Sequence, residues 1–366
     1  MSIFPDFENP GSGETREVAI GTVNNSTATA SLRQTLYNPT VALAVRRQSP
    51  LVRAAQLAVE EREIEVSEQV STTFYRAVRA REQLRILTVD LARQERALRD
   101  ARLRYETGIN DKVDYKRATI TLNQTRVALR NAIIEEQNRI VELKQLMGYP
   151  EVQELTPMAD LDALATEITA DSLPPLNPAD RVELRRLAVE EDLLGLDLLF
   201  YRRAWLPDVF LGATYNYNWQ NNELSELYNR AFPNSLASLN VSVPLFSGGR
   251  RFRQIERQDV LIRQLTYDVL ALRDQITREY RVAYGTYDQA LNSYRMALEN
   301  VELAEEIYTV VDLQYREGIS IFLEVVIADN DLQQARQEAV NSLIDALIAR
   351  VDVRRAAGTL QAPRYQ

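Results

Sequence analysis

The sequence predicts a mainly α-helical protein made of long antiparallel helical hairpins, with a small β portion and an internal two-fold repeat. The segments Arg104–Ile109 and Gln314–Ile319 share a Tyr-x-x-Gly-Ile pattern and lie 210 residues apart. Each segment separates two long runs that are rich in Ala, Leu, Glu, Arg and Gln. Each second run then ends on a glycine at the same distance, Gly148 or Gly358.

The composition excludes several classes of protein. The chain has 366 residues, no cysteine, no histidine and a net charge of -9. It therefore lacks disulfides, thiolate metal sites and the commonest general base, so we expect no enzyme, cofactor or metal site. The acidic balance predicts no nucleic-acid partner. No apolar run reaches the roughly 18–20 residues of a membrane-spanning helix. The N-terminus lacks the basic start and apolar core of a secretory signal, so we expect either a cytoplasmic protein or a natural precursor that starts earlier.

The first copy of the repeat begins after a polar N-terminal stretch. Residues 1–26, rich in Gly, Pro, Asn, Ser and Thr, predict an arm or loop. Residues 27–37 alternate small or apolar with polar side chains and predict a strand. Residues 50–148 predict a helical hairpin that turns at Gly108, with a first helix on the order of 80 Å long.

The second copy follows a connector. Prolines spread through residues 149–178 indicate irregular structure, and residues 179–204 predict a shorter helix. Residues 206–246 predict a β-hairpin, because alternation recurs on both sides of a polar loop. Residues 249–358 predict the second helical hairpin, and residues 359–366 form a C-terminal tail.

Aromatic residues gather at one end of the first predicted strand of this β-hairpin. Tyr215, Tyr217 and Trp219 share one face, next to the polar loop. They fit a sandwich core, a ligand platform or a membrane strand whose aromatics lie at the interface. The aliphatic-to-aromatic order favours the membrane strand, although alternation is also common in soluble sheets.

Acidic residues lie near both helical turns. Paired carboxylates could bind a divalent cation or transfer protons. They could equally be the negative charges that a helix N-terminus favours, as Asp111 and Asp114 suggest. The residues are Asp111, Asp114, Glu324, Asp329 and Asp331.

Three features together resemble the TolC-type outer-membrane efflux protein family, from about Asn24 to Leu360. Leu206-Pro207 leads into the tyrosine-rich strand, and the segment Val243–Arg250 closes the β-hairpin. The two Tyr-x-x-Gly-Ile turns complete the resemblance.

The resemblance implies a homotrimer in the outer membrane of a Gram-negative bacterium, extending into the periplasm. Each subunit would give four strands to one twelve-stranded β-barrel and its helices to a trimeric α-barrel. The family's first helix and first strand are not recognisable here, so we expect a truncated form or a late gene start. The implied partners are a periplasmic membrane fusion (adaptor) protein, an inner-membrane pump and outer-membrane lipid.

The resemblance also implies where the family's tip residues lie. The helix-hairpin tips, where the adaptor docks, would contain Gly108, Ile109, Gly318 and Ile319. The interface aromatics would be those of the first strand of the β-hairpin.

A periplasmic gate is implied next to these tips. Asp114 and Tyr315 match a pair that holds the tip closed, and Glu324 matches an acidic, cation-binding position of the constriction. Two positions depart from the family: Ile327 replaces an acidic residue, and Ser320 replaces a closing arginine. We therefore expect a weaker or differently built latch.

The predicted function is a passive exit duct of a tripartite efflux or type I secretion system, opened by an iris-like movement of the tip. The alternative is a soluble, rod-like coiled-coil scaffold or periplasmic adaptor protein. It would share the long helices but not the membrane-type strands.

Overall fold

The computed structural model describes residues 2–5, 15–18, 21–108, 111–170 and 173–360. The chain divides into two compact units, each with its own packing. The first unit comprises Met1–Leu51 and Glu191–Arg263, and the second comprises Val52–Glu190 and Gln264–Gln366.

The strands belong to the first unit. Strands β3 (Asn24–Tyr37), β4 (Asp208–Asn221) and β5 (Ala231–Ser242) form one antiparallel sheet in the order β3-β4-β5. Strands β1 (Ser2–Pro5) and β2 (Thr15–Val18) pair with each other in a separate two-stranded sheet.

The loop predicted for residues 1–26 is wrong at three places. Strands β1 and β2 both lie inside it, and β3 begins at Asn24 rather than at residue 27. Asn24 and Asn25 extend β3 because they pair with Asn221 and Gln220 of β4. Pairing with a distant strand leaves no alternating pattern in the local sequence, so the prediction could not detect it.

Helices make up most of the chain. No helix among the described residues is long and apolar enough to cross a membrane. The α-helices of the described ranges are α1 (Pro39–Glu106), α2 (Lys112–Met147), α3 (Leu161–Ala170), α4 (Val182–Arg202), α5 (Arg250–Arg316) and α6 (Phe322–Ala356).

Helix α1 begins earlier than predicted, at Pro39 rather than near residue 50. The Asn38 side-chain oxygen accepts hydrogen bonds from the amides of Thr40 (2.7 Å) and Val41 (3.1 Å), so Asn38 caps the helix. Pro39 fits the first helical position because no amide hydrogen is needed there. Pro50 lies inside the helix, at the cost of one backbone hydrogen bond.

In the second unit, the two hairpins meet along an antiparallel contact between α1 and α6. Residue numbers fall along α6 as they rise along α1, as expected for two antiparallel helices. The joining pairs are Glu68–Arg355 (2.9 Å), Arg79–Asp345 (3.0 Å) and Gln83–Asn341 (3.1 Å).

The connector of residues 149–178 is not wholly irregular, because it contains α3. Two tyrosines of α5 fasten this segment. The Tyr287 hydroxyl donates to the Ile168 carbonyl (3.0 Å), and the Tyr280 hydroxyl donates to the Pro174 carbonyl (3.0 Å). Ile168, in α3, is fully buried against α5 and α6. These tyrosines therefore hold the connector against α5.

Gly148 and Gly358 end α2 and α6 in the same way. Both have left-handed φ angles, +62° and +75°, and the next residue's amide donates to a carbonyl five residues back. Their surroundings differ. A Cβ atom at Gly148 would meet nothing within 4 Å, whereas one at Gly358 would lie 3.1 Å from the Asp180 carbonyl carbon and 3.2 Å from the Arg181 amide nitrogen.

We expect Gly358→Ala to destabilise the protein more than Gly148→Ala. Both substitutions force alanine into a left-handed conformation, at about 1–2 kcal/mol. Only Gly358→Ala also crowds the backbone of a neighbouring segment, which adds about 1–3 kcal/mol. Thermal unfolding followed by far-UV circular dichroism should show the larger shift for Gly358→Ala. Equal shifts would contradict close packing at residue 358.

Candidate functional site in the hairpin turns

The turns of the two hairpins have matching backbone geometry. Gly108 and Gly318 have φ angles of +74° and +75°, and their amides donate to the carbonyls of Tyr105 (3.0 Å) and Tyr315 (3.1 Å). Glycine suits both positions because other residues are strained in this conformation. Ile109, predicted to belong to the first tip, lies outside the described residues.

The second turn exposes apolar side chains. The Ile319 amide donates to the Gln314 carbonyl (2.8 Å), which closes the turn as a Schellman motif. The Ile319 side chain is 77% exposed, and Ile321 and Ile327 nearby are also exposed. These isoleucines are accessible to another protein surface, and adaptor docking there stays a prediction.

Behind the turns, one residue from each of the four long helices enters a small buried cluster, named here the tip cluster. It contains Ala101 of α1, Ala118 of α2, Tyr315 of α5 and Phe322 of α6. The Tyr315 and Phe322 ring centroids lie 5.6 Å apart. The two alanines leave room for these rings, so the two hairpins pack against each other here.

Tyr315 also contacts a cation of the other hairpin. The Arg104 guanidinium lies 4.8 Å from the centre of the Tyr315 ring, and its Nη2 donates weakly to the Arg316 carbonyl (3.5 Å). Asp114 is half-buried in the first turn of α2, where the helix dipole favours a negative charge. Its predicted pairing with Tyr315 stays a prediction.

Glu324 is exposed in the first turn of α6. The Ser320 hydroxyl donates a hydrogen bond to its carboxylate. Ser320, which stands where the resemblance implies an arginine, thus satisfies part of the hydrogen-bonding capacity of the Glu324 carboxylate. Across the described ranges, no three acidic side chains converge closely enough to hold a metal ion. A role for Glu324 in the constriction stays a prediction.

Sequence reasoning named Asp329 but missed that it is buried beside other polar groups near the tip. Three buried side chains meet there: Asp90 and Gln94 of α1, and Asp329 of α6. The Gln94 side-chain amide donates hydrogen bonds to both aspartates. Burial raises the pKa of Asp329, against the opposing effect of the Arg93 guanidinium. A signal was present in the sequence: Ile86, Asp90 and Gln94 follow each other at helical spacing of four, as buried residues of one face do.

We expect acidification to stabilise the wild-type protein relative to Asp329→Asn. Because the pKa of Asp329 is raised on folding, the folded state binds a proton where the unfolded chain does not. The contribution of this carboxyl to stability therefore rises as the pH falls through the raised pKa. Thermal unfolding of both proteins at pH 7 and at pH 4, close to the ordinary aspartate pKa of 3.8, tests this. A melting-temperature difference that stays constant, or that moves against the wild type at pH 4, would contradict the shift.

The predicted interface aromatics form a continuous row on β4. The ring centroids of Tyr215 and Tyr217 lie 5.7 Å apart, and those of Tyr217 and Trp219 lie 5.4 Å apart. Tyr228, in the loop after β4, extends the row with its ring 5.4 Å from Trp219. Tyr215 and Tyr217 remain exposed, so the row is not a buried core.

The opposite face of the same sheet is polar. The Thr29 hydroxyl donates to Asn216 (2.8 Å), whose side-chain amide donates to Asn234 (2.8 Å). This chain of hydrogen bonds crosses β3, β4 and β5. The Thr27 hydroxyl likewise donates to Asn218 (3.0 Å). A sheet with an apolar face and a hydrogen-bonded polar face matches membrane strands that separate lipid from water.

A two-faced sheet combined with long helical hairpins that pack at their turns is an arrangement expected of an outer-membrane channel. The family model described as "Outer membrane efflux protein" matches residues 8–149 and 181–359. The chain therefore belongs to the outer membrane efflux protein family.

Individual relatives agree with this assignment. The chain is 22% identical over 311 residues to outer membrane protein TolC of Vibrio cholerae, covering 80% of this chain and 67% of TolC. It is 24% identical over 350 residues to the proteases secretion protein PrtF of Dickeya chrysanthemi, covering 92% and 73%. The crystal structure of CusC matches with a TM-score of 0.74 at 14% identity, covering 97% of this chain and 81% of CusC.

These comparisons confirm several predictions. The TolC-type family, the mainly helical fold with a small sheet and the outer-membrane location in a Gram-negative bacterium are confirmed. Family membership assigns a channel role in transport and decides against the rod-like scaffold.

Proposed function

We propose that the chain is the exit duct of a tripartite efflux or type I secretion system and acts as a homotrimer. An inner-membrane pump would deliver cargo through a periplasmic adaptor protein. The duct itself would do no covalent chemistry. Relatives named for efflux and for protease secretion support this proposal.

The sheet supports the trimer. Strands β3 and β5 are the outer strands of the three-stranded sheet. Lipid does not tolerate unpaired strand edges, because backbone amides and carbonyls find no water there. Copies of the chain would pair these edges and close a shared barrel. The Thr and Asn face would then line the water-filled lumen, and Tyr215, Tyr217 and Trp219 would meet lipid at the membrane interface.

The tip cluster carries the gate proposal. In it, Tyr315 and Phe322 of the second hairpin pack with Ala101 and Ala118 of the first, so separating the hairpins must first expose these rings. Iris-like opening would be this separation. Asp114 and Glu324 would supply negative charge beside the opening and favour cations there. The turns at Gly108, Ile109, Gly318 and Ile319 would bear the adaptor.

We expect Tyr315→Ala to increase single-channel conductance in planar bilayers. The substitution removes a buried ring, which costs about 3–5 kcal/mol of packing in a typical core, and it also removes the platform for Arg104. The closed arrangement should then weaken. Asp114→Asn removes the charge of the proposed latch partner on the other hairpin and should also increase the single-channel conductance.

Tyr105→Ala is the matched control for Tyr315→Ala. Tyr105 occupies the equivalent place in the first hairpin, but it is 39% exposed and stacks on Tyr115 instead of entering the tip cluster. Its replacement should leave conductance near the wild-type value. If Tyr315→Ala and Tyr105→Ala conduct equally, the tip cluster is not the gate.

Assembly in the membrane has its own test. We expect the protein to fractionate with the outer membrane and to migrate as a trimer that heat converts to a monomer. Closing a shared barrel would make the trimer resistant to detergent before heating. A monomer in unheated detergent, or a protein in the soluble periplasmic fraction, would contradict the proposed assembly.

A further inference from the structure

A buried polar network lies on the four long helices, about two to three turns behind the tip cluster. Asp90, Arg93 and Gln94 come from α1, Thr125 from α2 and Asp329 from α6. The network also reaches α5, because the Arg93 guanidinium lies 5.3 Å from the centre of the Tyr308 ring. Largely buried polar groups thus connect the two hairpins.

The contacts within this network are close. Arg93 Nη2 lies 2.7 Å from Asp90 Oδ1 and 2.8 Å from Asp329 Oδ1. Gln94 Nε2 donates to Asp90 Oδ1 (3.2 Å) and Asp329 Oδ2 (2.5 Å). The Thr125 hydroxyl donates to Asp90 Oδ2 (3.2 Å). Arg93 and Gln94 therefore each touch one carboxylate of each hairpin.

The formal charges do not balance. When ionised, Asp90 and Asp329 carry two negative charges, and Arg93 is the cation that touches both. The contact with Asp329 Oδ1 lacks hydrogen-bond geometry, and Arg93 Nε also has no hydrogen-bond partner. Arg336, on α6, acts on Asp329 from a greater distance and pairs with Glu305 (3.1 Å). The attraction between the hairpins here therefore depends on the position of one guanidinium.

We propose that Arg93 is a positioning residue that clamps the α1–α2 hairpin to the α5–α6 hairpin. Without Arg93, one buried carboxylate on each hairpin would face the other with no cation between them. Buried like charges repel strongly, because water cannot screen them. The hairpins would then separate at the tip. That separation opens the channel only if the gate proposed above is correct, so this consequence rests on the proposed function.

The absence of cysteine provides a clean test, because one introduced thiol is unique in the chain. Ala118 is 2% exposed in the tip cluster. In an Ala118→Cys background, the rate of labelling by a polyethylene-glycol maleimide reports how often the hairpins separate. We expect Arg93→Met to raise this rate at least tenfold. Adding Asp329→Asn to Arg93→Met should return the rate to within about threefold of the parent, because one of the two facing charges is gone.

Three controls make the result specific. Arg102→Met removes an α1 arginine whose partner Glu106 is exposed (2.9 Å), and it should leave labelling unchanged. Ile120→Cys, 57% exposed on α2, should label at one rate in every background. If Arg93→Met fails to form the heat-modifiable trimer, Arg93→Lys replaces it. Lysine keeps the charge but lacks the planar guanidinium that places Nη2 between the two carboxylates, so a smaller rise that Asp329→Asn abolishes is expected.

The outcomes separate the clamp from the gate. Parent-like labelling in Arg93→Met, or a double variant as fast as Arg93→Met, would overturn the clamp. Faster labelling reversed by Asp329→Asn supports it, whatever the conductance. If labelling rises while conductance in planar bilayers stays at the wild-type value, the clamp stands and the gate of the proposed function fails. If Tyr315→Ala raises conductance while Arg93→Met labels like the parent, the gate stands and the clamp fails.

Discussion

The antiparallel contact between α1 and α6 holds the second unit together, because it is where one hairpin meets the other. Its polar pairs differ in environment. Arg79–Asp345 is largely exposed, and exposed pairs of this kind contribute at most about 1 kcal/mol. Tyr315, Phe322 and the network around Arg93 are removed from water. Near the turns, the contact between the two hairpins therefore depends on buried groups, which must either pack closely or separate.

Much of the fold can be predicted from the local sequence. Both helical turns were predictable, since glycine at Gly108 and Gly318 takes left-handed angles that other residues avoid. Other elements depend on distant partners. The first residues of β3 pair with Asn221 and Gln220 of β4, and α3 lies in a proline-rich segment that Tyr287 fastens from more than 100 residues away. Local propensity does not report such contacts.

The candidate site likewise contains residues that the sequence predicts and residues that it does not. Tyr315 and Glu324 could be found because the turn pattern aligns them with a known family, and Tyr315 does lie in the buried contact between the hairpins. The network of Asp90, Arg93 and Asp329 matches no motif. In the sequence, Asp329 resembles an ordinary charge near a helix N-terminus. It is buried because α1 packs over it, and its partner Gln94 on α1 lies 235 residues earlier in the chain. Only the packing of the two hairpins distinguishes it from an exposed aspartate.

The fastening of the connector has a mechanical consequence. The Tyr287 hydroxyl ties α5 to the Ile168 carbonyl, and Tyr315, further along the same helix, lies in the small tip cluster. At 1.5 Å per residue, the helix between these tyrosines is a lever of about 42 Å. A tilt of about 5° at Tyr287 would move Tyr315 by about 4 Å, roughly the width of a side chain. Small tilts of α5 at the connector would thus be amplified into displacements at the turns.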